Sequence, residues 1–189
     1  MAGTIRWSFS ETNLNREDGG VFLYRGRYAE AGEDGGLETF PSRIWGASEL
    51  DSTGTHFGSM LAMGDLNDDG LDDLVVSQPR YKVPGQSGNR HGAVNLYWGE
   101  ALANVTPEAV IEPKEAAWRG FGKDSNARFG HSLALGRLAG QSVLSLLVGD
   151  PRGIDPEGTR SGQVYVFDSF SESENLSEAA PTEIFGESE

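Results

Sequence analysis

Oxygen-bearing side chains are concentrated in one stretch of nine residues, in which donors alternate with other residues: Asp65, Asn67, Asp69 and Asp73. Gly70 lies among them, where a tight turn needs the left-handed backbone that glycine adopts freely. Hard cations such as calcium bind six to eight oxygen atoms at about 2.3–2.6 Å. Side-chain oxygens at positions 1, 3, 5 and 9 of this turn, with the Leu71 carbonyl at position 7, can surround one ion. The spacing predicts a calcium loop, with Asp68 and Asp72 pointing away from the ion.

Two other interpretations fit parts of this stretch. Asp and Asn are common turn formers, so an acidic loop can simply be solvated. That interpretation does not require the alternation, and crowded donors would repel one another without a cation. An EF-hand needs a bidentate Glu at its twelfth position, which here is Val76. The flanking segments are short and apolar rather than helix-periodic, which predicts a β-hairpin turn instead.

The same frame recurs once, 72 residues later. Phe57-Gly58 is repeated as Phe129-Gly130, and Pro79-Arg80 as Pro151-Arg152. The side chains at the four donor positions are not repeated and become, in order, Arg137, Ala139, Gln141 and Ser145. We therefore predict a second hairpin without a metal. The Arg137 guanidinium would bind carbonyls of its own loop or a carboxylate such as Asp150, unless it is simply solvated.

Strand-like segments repeat at a similar period of about 70 residues, which indicates a repeat array. Each begins with glycine and ends with an aromatic residue: Gly20–Tyr24, Gly92–Tyr97 and Gly162–Phe167. Outer strands are predicted where an aromatic residue precedes glycine: Trp45-Gly46, Phe121-Gly122 and Phe185-Gly186. We expect Ala109–Ile111 to form the outermost strand of the calcium-binding unit.

These residues resemble FG-GAP repeats. The resemblance rests on Phe57-Gly58, on the run Gly64–Gly70, and on Ser77-Gln78-Pro79, where the family usually has Gly-Ala-Pro. Such repeats build the seven-bladed β-propellers of integrin α-subunits, of glycosylphosphatidylinositol-specific phospholipase D and of many bacterial surface proteins. The resemblance implies the same calcium ligands as the spacing: Asp65, Asn67, Asp69, the Leu71 carbonyl and Asp73.

We predict an all-β chain that forms a partial β-propeller of four-stranded antiparallel blades, about two and a half of an expected seven. Residues 1–46 end an incomplete blade, 47–118 form the calcium-binding blade, 119–182 a metal-free blade, and 183–189 start the next. An open array exposes sheet edges, so we expect a segment of a longer protein. A three-bladed unit that closes by oligomerisation is the alternative.

Composition narrows the possible partners. A formal net charge of −14 over 189 residues argues against binding to nucleic acid. No apolar segment is long enough to enter and cross a bilayer, and the absence of cysteine excludes disulfides and thiolate metal sites. An extracellular or cell-surface location fits the acidity and the calcium loop, although Met1–Trp7 lacks the character of a secretory signal. Asn104 and Asn175 head potential glycosylation sequons.

No catalytic motif is evident, and His56 and His131 directly adjoin the two Phe-Gly pairs. We therefore expect a non-catalytic, calcium-stabilised module whose partner is a protein ligand or a neighbouring blade. A carbohydrate-binding propeller is one alternative, with tryptophans as stacking platforms: Trp7, Trp45, Trp98 and Trp118. We favour tryptophans that fill gaps between blades. The other alternative is the non-catalytic propeller of a phospholipase D-like enzyme acting on glycosylphosphatidylinositol anchors.

Overall fold

The computed structural model describes residues 5–8, 19–25, 42–46, 54–138, 140–170 and 181–186. These residues form twelve strands in three four-stranded sheets, with one short helix, α1 (Gly99–Ala103), and a 3₁₀ turn at Pro113–Glu115. The predicted all-β, partial β-propeller architecture is confirmed. Among the described residues, no helix has the length and apolar character needed to cross a bilayer.

The three sheets follow one another along the chain except for β7 (Val110–Ile111), which lies between two strands of sheet II in the sequence but belongs to sheet I. Sheet I contains β1 (Ile5–Ser8), β2 (Gly20–Arg25), β3 (Ser42–Trp45) and β7 (Val110–Ile111). Sheet II contains β4 (Leu61–Gly64), β5 (Asp73–Gln78), β6 (Ala93–Tyr97) and β8 (Trp118–Phe121). Sheet III contains β9 (Ser132–Gly136), β10 (Ser145–Asp150), β11 (Gln163–Phe167) and β12 (Thr182–Phe185). Neighbouring strands are antiparallel except β3 and β7.

Strands end at the predicted Trp45-Gly46, Phe121-Gly122 and Phe185-Gly186, but two other expectations about the outer strands were wrong. The segment Ala109–Ile111 does not close sheet II, because β7 pairs in parallel with β3 and the Arg43 N–H donates to the Ala109 carbonyl at 2.8 Å. Leu102 of α1 is buried in the apolar cluster of β2 and β3, which draws the chain across to sheet I. The fourth strand of sheet II is β8. Likewise β12 completes sheet III, where the sequence placed the start of a further blade at residue 183.

A glycine with a left-handed backbone directly precedes β2, β6 and β11, with φ of 73°, 92° and 77°: Gly19, Gly92 and Gly162. Its carbonyl accepts a hydrogen bond from the glycine that follows the next strand of the same sheet, β3, β8 or β12: Gly46, Gly122 and Gly186, respectively. The strand β2 begins at Gly20, as predicted, but the residue equivalent to Gly92 and Gly162 is Gly19 and not Gly20. Because strand side chains alternate between faces, this shift places Val21 and Leu23 on the face that holds Val94 and Leu96 in sheet II.

Sheet II is apolar on both faces, and all six residues of β5 are buried. One core lies between sheets I and II: Val21, Leu23, Ile44, Phe57, Leu74, Val76, Tyr97 and Leu102. The other lies between sheets II and III: Leu66, Val75, Val94, Leu96, Trp118, Phe129, Leu146, Val148, Tyr165 and Phe167. Face-to-face stacking of whole sheets is the packing of propeller blades.

Two of the tryptophans fill space between sheets, as expected. The Trp118 ring packs edge-on against Phe167 at 5.0 Å, and the Trp98 ring packs edge-on against Phe170 at 6.2 Å between ring centroids. The side chains of Trp7 and Trp45, and the sequon at Asn175, lie outside the described residues.

Candidate metal centre

The predicted loop is a hairpin turn between β4 and β5, with Gly64 and Asp73 paired at its base. Gly70 adopts φ of 85° at its tip, and nothing lies within 4 Å of where a Cβ would be. Asp68 also has a left-handed backbone, with φ of 60°. The turn lies between two strands rather than two helices, so the predicted hairpin is observed and the EF-hand arrangement is not.

Three of the predicted ligands converge through hydrogen bonds inside the loop. The Asp65 carboxylate accepts the N–H groups of Asp69 at 3.1 Å and of Gly70 at 2.9 Å. The Asn67 amide donates to the Asp69 carboxylate at 2.9 Å, and its oxygen accepts the Asp69 N–H at 3.2 Å. Asp69 in turn accepts the Leu71 N–H at 2.8 Å. The side chains of Asp65, Asn67 and Asp69 thus lie close together within the turn.

Asp73 has a further role, because its carboxylate is fully buried and bridges two segments. One oxygen accepts the Leu66 N–H, and the other accepts the Gly99 N–H, each at 2.8 Å. Burial raises the pKa of Asp73, the two backbone hydrogen bonds lower it, and the charges of Asp69 and Asp65 raise it again. Asp73 therefore connects the turn of the candidate metal site (residues 65–73, called the metal loop below) to the start of α1. The spacing of the predicted ligands did not reveal this connection.

Replacing Asp73 with asparagine should lower the free energy of unfolding by about 2–3 kcal/mol in calcium-free buffer. An amide has a single acceptor oxygen, so one of the two buried N–H groups loses its partner. Urea unfolding in the presence of a chelator, at constant pH, measures this cost without any contribution from a bound ion. Asp69→Asn is the matched control, because Asp69 is exposed and should change stability by less than about 0.5 kcal/mol. Equal losses in the two variants would contradict the bridging role.

The chemistry of the donor set fits a hard cation. Carboxylate, amide and carbonyl oxygens are the ligands that calcium prefers. A carboxylate that accepts N–H groups keeps lone pairs for an ion. Among the described residues, no three side chains of His, Cys, Asp or Glu are grouped closely enough to hold a metal by themselves. An ion in this loop would therefore depend on Asn67 and on the Leu71 carbonyl as well as on the aspartates.

The second hairpin, between β9 and β10, is held by protein groups. The Arg137 guanidinium donates to the Ser142 carbonyl of its own loop, which is one of the two contacts predicted for it. Asp150 ends β10, at the other end of the strand from this hairpin. Ser145, at the position equivalent to Asp73, donates to the Asp168 carboxylate at 2.6 Å. Ala139 lies outside the described residues.

The histidines occupy turn and packing positions. His56 has a left-handed backbone, with φ of 57°, and its carbonyl accepts the Ser59 N–H at 3.2 Å. His91 is buried, and its Nδ1 accepts the Val83 N–H at 3.2 Å while Nε2 lies 3.1 Å from the Ser87 carbonyl. His131 is exposed.

The segment that contains this loop matches a known family of repeats. Residues 57–94 match the model of the FG-GAP repeat, from the Phe-Gly pair through the hairpin and into β6. This stretch is an FG-GAP repeat. The FG-GAP repeat is a non-catalytic propeller module, and the three stacked sheets provide the corresponding architecture.

Longer relatives contain the same module. The chain is 34% identical over 110 residues to phosphatidylinositol-glycan-specific phospholipase D of Rattus norvegicus, which covers 58% of this chain and 13% of the relative. It is 36% identical over 110 residues to the Homo sapiens protein of the same name, and this match also covers 58% of this chain and 13% of the relative. It is 33% identical over 115 residues to integrin alpha-PS2 of Drosophila melanogaster, covering 60% of this chain and 8% of the relative. The chain thus spans at most 13% of these relatives.

Proposed function

We propose that the FG-GAP repeat binds one calcium ion, and that the chain is a calcium-stabilised, non-catalytic module for interaction with proteins outside the cell. The ligands are those predicted from the sequence: Asp65, Asn67, Asp69, Asp73 and the Leu71 carbonyl. The observation that supports this proposal is that three of these oxygen-bearing side chains, those of Asp65, Asn67 and Asp69, are drawn together by hydrogen bonds within one turn. A bound calcium ion would supply positive charge to the loop and no reaction chemistry.

Charge repulsion gives the ion its structural role. Residues 65–73 include five aspartates and no basic residue, so the free loop concentrates negative charge at one end of sheet II. Asp73 begins β5, the strand buried between both cores. An ion here would join the turn to the centre of the fold. For a dissociation constant of about 10⁻⁴ M, millimolar calcium would stabilise the folded state by about 1.4 kcal/mol.

Isothermal titration calorimetry should show one calcium ion bound per chain, and Asp69→Ala should abolish that binding. The control is Asp72→Ala, which removes the same charge from an exposed side chain that is not expected to be a ligand. It should retain binding within about threefold, since a surface charge acts weakly through solvent. Calcium should also raise the melting temperature of the unmodified chain and of the control only. Absence of binding to the unmodified chain, or unchanged binding in Asp69→Ala, would refute the metal site.

A protein partner is favoured over a carbohydrate by the aromatic packing. The Trp118 ring is buried against Phe167 and so cannot stack on a sugar ring, and the Trp98 ring is half-buried and packs edge-on against Phe170. Similarity to integrin alpha-PS2 also favours a role in protein interaction and adhesion. Screening against a glycan array, with and without calcium, tests this choice, and calcium-dependent glycan binding would contradict it.

A second candidate function is favoured by the similarity to phosphatidylinositol-glycan-specific phospholipase D. In that case the chain would be the non-catalytic propeller of an enzyme that acts on glycosylphosphatidylinositol anchors. The chain itself should then release no anchored protein from membranes in the presence of calcium and zinc. Anchor cleavage by the purified chain would show that it is an enzyme.

A further inference from the structure

The two ends of sheet II carry opposite charge. The loop before β5, residues 65–73, contains five aspartates, whereas the loop after β5, residues 79–91, contains Arg80, Lys82 and Arg90 and no acidic residue. The net charge of −14 therefore conceals a basic surface at the end opposite the metal loop. Such a surface is a separate feature from the calcium site and from the stacking of the sheets.

Four arginines lie on three adjoining loops at this basic end, and the charges of three of them act on the fourth, Arg128; we call them the arginine cluster: Arg80, Arg90, Arg128 and Arg152. The first two belong to the β5–β6 loop, the third to the β8–β9 loop and the fourth to the β10–β11 loop. The first two loops are joined where the Arg128 N–H donates to the Arg90 carbonyl at 3.2 Å. The second and third are joined by Arg160, which donates to the carbonyls of Arg152 and Ser125, each at 3.0 Å.

The β5–β6 loop is held in place from inside the protein. Buried His91 bonds to Val83 and Ser87 across the loop, and the Gly92 N–H donates to the Tyr81 carbonyl at 3.0 Å. The Tyr81 ring stacks on Phe121 at 5.7 Å. The loop that carries Arg80 and Arg90 is thus held in one conformation, which reduces the conformational entropy lost when a ligand binds.

Arg128 lies at the centre of the cluster. Burial lowers the pKa of its guanidinium, and the charges of Arg152, Arg90 and Arg80 lower it further. Its Nε is buried and has no hydrogen-bond partner among the described residues. Asp124 and Asp150 belong to the same region; they accept the backbone N–H groups of Ile154 at 3.1 Å and Arg152 at 3.4 Å, respectively, and neither bonds to the Arg128 Nε.

Backbone strain coincides with the same two arginines. Arg128 has φ of 69°, and Arg90 has φ of 51°. Residues with a side chain rarely adopt this left-handed conformation, because Cβ then approaches the carbonyl oxygen. His56, which precedes Phe57-Gly58 as Arg128 precedes Phe129-Gly130, has the same left-handed backbone, so at Arg128 this conformation is a feature of the repeat. Arg90 and Arg128 lie on adjoining loops, and an anionic ligand between their side chains would offset the repulsion of the two like charges.

We propose that the arginine cluster binds a tetrahedral oxyanion, the phosphate or sulfate group of a ligand. A carboxylate has two oxygens, which one guanidinium can occupy in a bidentate pair. Guanidiniums carried by three adjoining loops could bind three or more oxygens and a second negative charge, which phosphate and sulfate groups provide. The site does not require the metal loop, so it is testable whether or not calcium binds.

The test is calorimetric titration of the unmodified chain with inorganic phosphate and inorganic sulfate, in calcium-free buffer at constant ionic strength. Acetate and chloride serve as monovalent comparisons, and circular dichroism verifies that the chain is folded. Saturable binding of phosphate or sulfate is expected, at least about tenfold tighter than acetate, because hydrogen bonds between charged groups are the strong ones. O-phosphoserine and galactose 6-sulfate then show which ester the site prefers.

Variants locate the binding. Arg128→Gln and Arg152→Gln should each weaken phosphate or sulfate binding at least about tenfold. Arg137→Gln is the matched control, since it removes the same charge at the hairpin on the other end of sheet III, and its binding should stay within about twofold. The proposal fails if the unmodified chain binds neither oxyanion more tightly than acetate, or if all three variants weaken binding equally. Because Arg128 is partly buried, Arg152→Gln provides an independent result if Arg128→Gln does not fold.

Discussion

Replacing Gly92 with alanine should lower the free energy of unfolding by about 4 kcal/mol or more, an effect reserved for severe steric or packing defects. A Cβ at this position would lie 2.1 Å from the Phe129 carbonyl oxygen and 2.6 Å from its backbone nitrogen. Both obstacles are backbone atoms of the next repeat, so no side chain can rotate away. Relief would require sheets II and III to separate at their shared core. Chemical unfolding, followed by tryptophan fluorescence, measures the loss.

The matched control is Gly162→Ala. Gly162 has the same role in sheet III and a comparable φ of 77°, but the nearest atom to its Cβ position is the Pro151 carbonyl oxygen at 3.3 Å. Its substitution should cost only the left-handed backbone penalty, about 1–2 kcal/mol. A similar loss in both variants would mean that backbone conformation, and not the contact between repeats, explains why glycine is needed.

Replacing Asp150 with asparagine should stabilise the chain by about 2–4 kcal/mol at pH 8 and have little effect at pH 4. Asp150 is fully buried, and one of its carboxylate oxygens has no hydrogen-bond partner among the described residues. Burial, together with the charge of Asp124, raises the pKa of Asp150 to about 7, against the opposing effects of the Arg152 and Gly153 backbone and of Arg160. The neutral amide avoids the cost of a buried charge.

The sign of this pH dependence follows from the raised pKa. The folded state holds the Asp150 proton more tightly than the unfolded state, whose pKa is about 3.9. The contribution of Asp150 to the free energy of unfolding is therefore greatest below about pH 4, falls as the pH rises toward 7, and stays low above that. Stability measured against pH for the variant and the unmodified chain gives this contribution as a difference, in which other titrating groups cancel.

Glu157→Gln provides the control for Asp150→Asn. Glu157 is an exposed carboxylate on the same β10–β11 loop, so its removal should leave the pH profile of stability unchanged within about 0.5 kcal/mol. If Asp150→Asn and the unmodified chain have parallel profiles between pH 4 and 8, Asp150 titrates normally and the prediction is wrong.

Local patterns were sufficient for the fold class and for the hairpin turn that holds the predicted donors. The alternation around Gly70 predicts a hairpin, because turn geometry depends on neighbouring residues alone. The 72-residue frame that links Phe57 to Phe129 indicates repeated sheets, because equivalent residues occupy equivalent places in each blade. Calcium remains a prediction for this loop, with its ligands derived from spacing and resemblance.

Strand pairing could not be predicted from local sequence patterns. Gly19 and Gly20 are adjacent identical residues, and only the hydrogen bond from Gly46 to the Gly19 carbonyl shows which of them is equivalent to Gly92. The parallel pairing of Val110 with Arg43 joins residues far apart in the chain. Short apolar segments such as β7 suit several sheet edges equally well, so the packing of Leu102 decides the choice.

The sequence by itself determined where oxygen donors gather, because a metal loop is built from consecutive residues whose spacing is visible in the chain. Only the tertiary structure decided that Asp73 bridges Leu66 and Gly99, and that arginines from three separate loops share one surface. Net charge is summed over the whole chain and does not show where in the fold the charged residues lie. Charges separated along the sequence act together only where folding brings them within a few ångströms, since solvent and salt screen them at longer range.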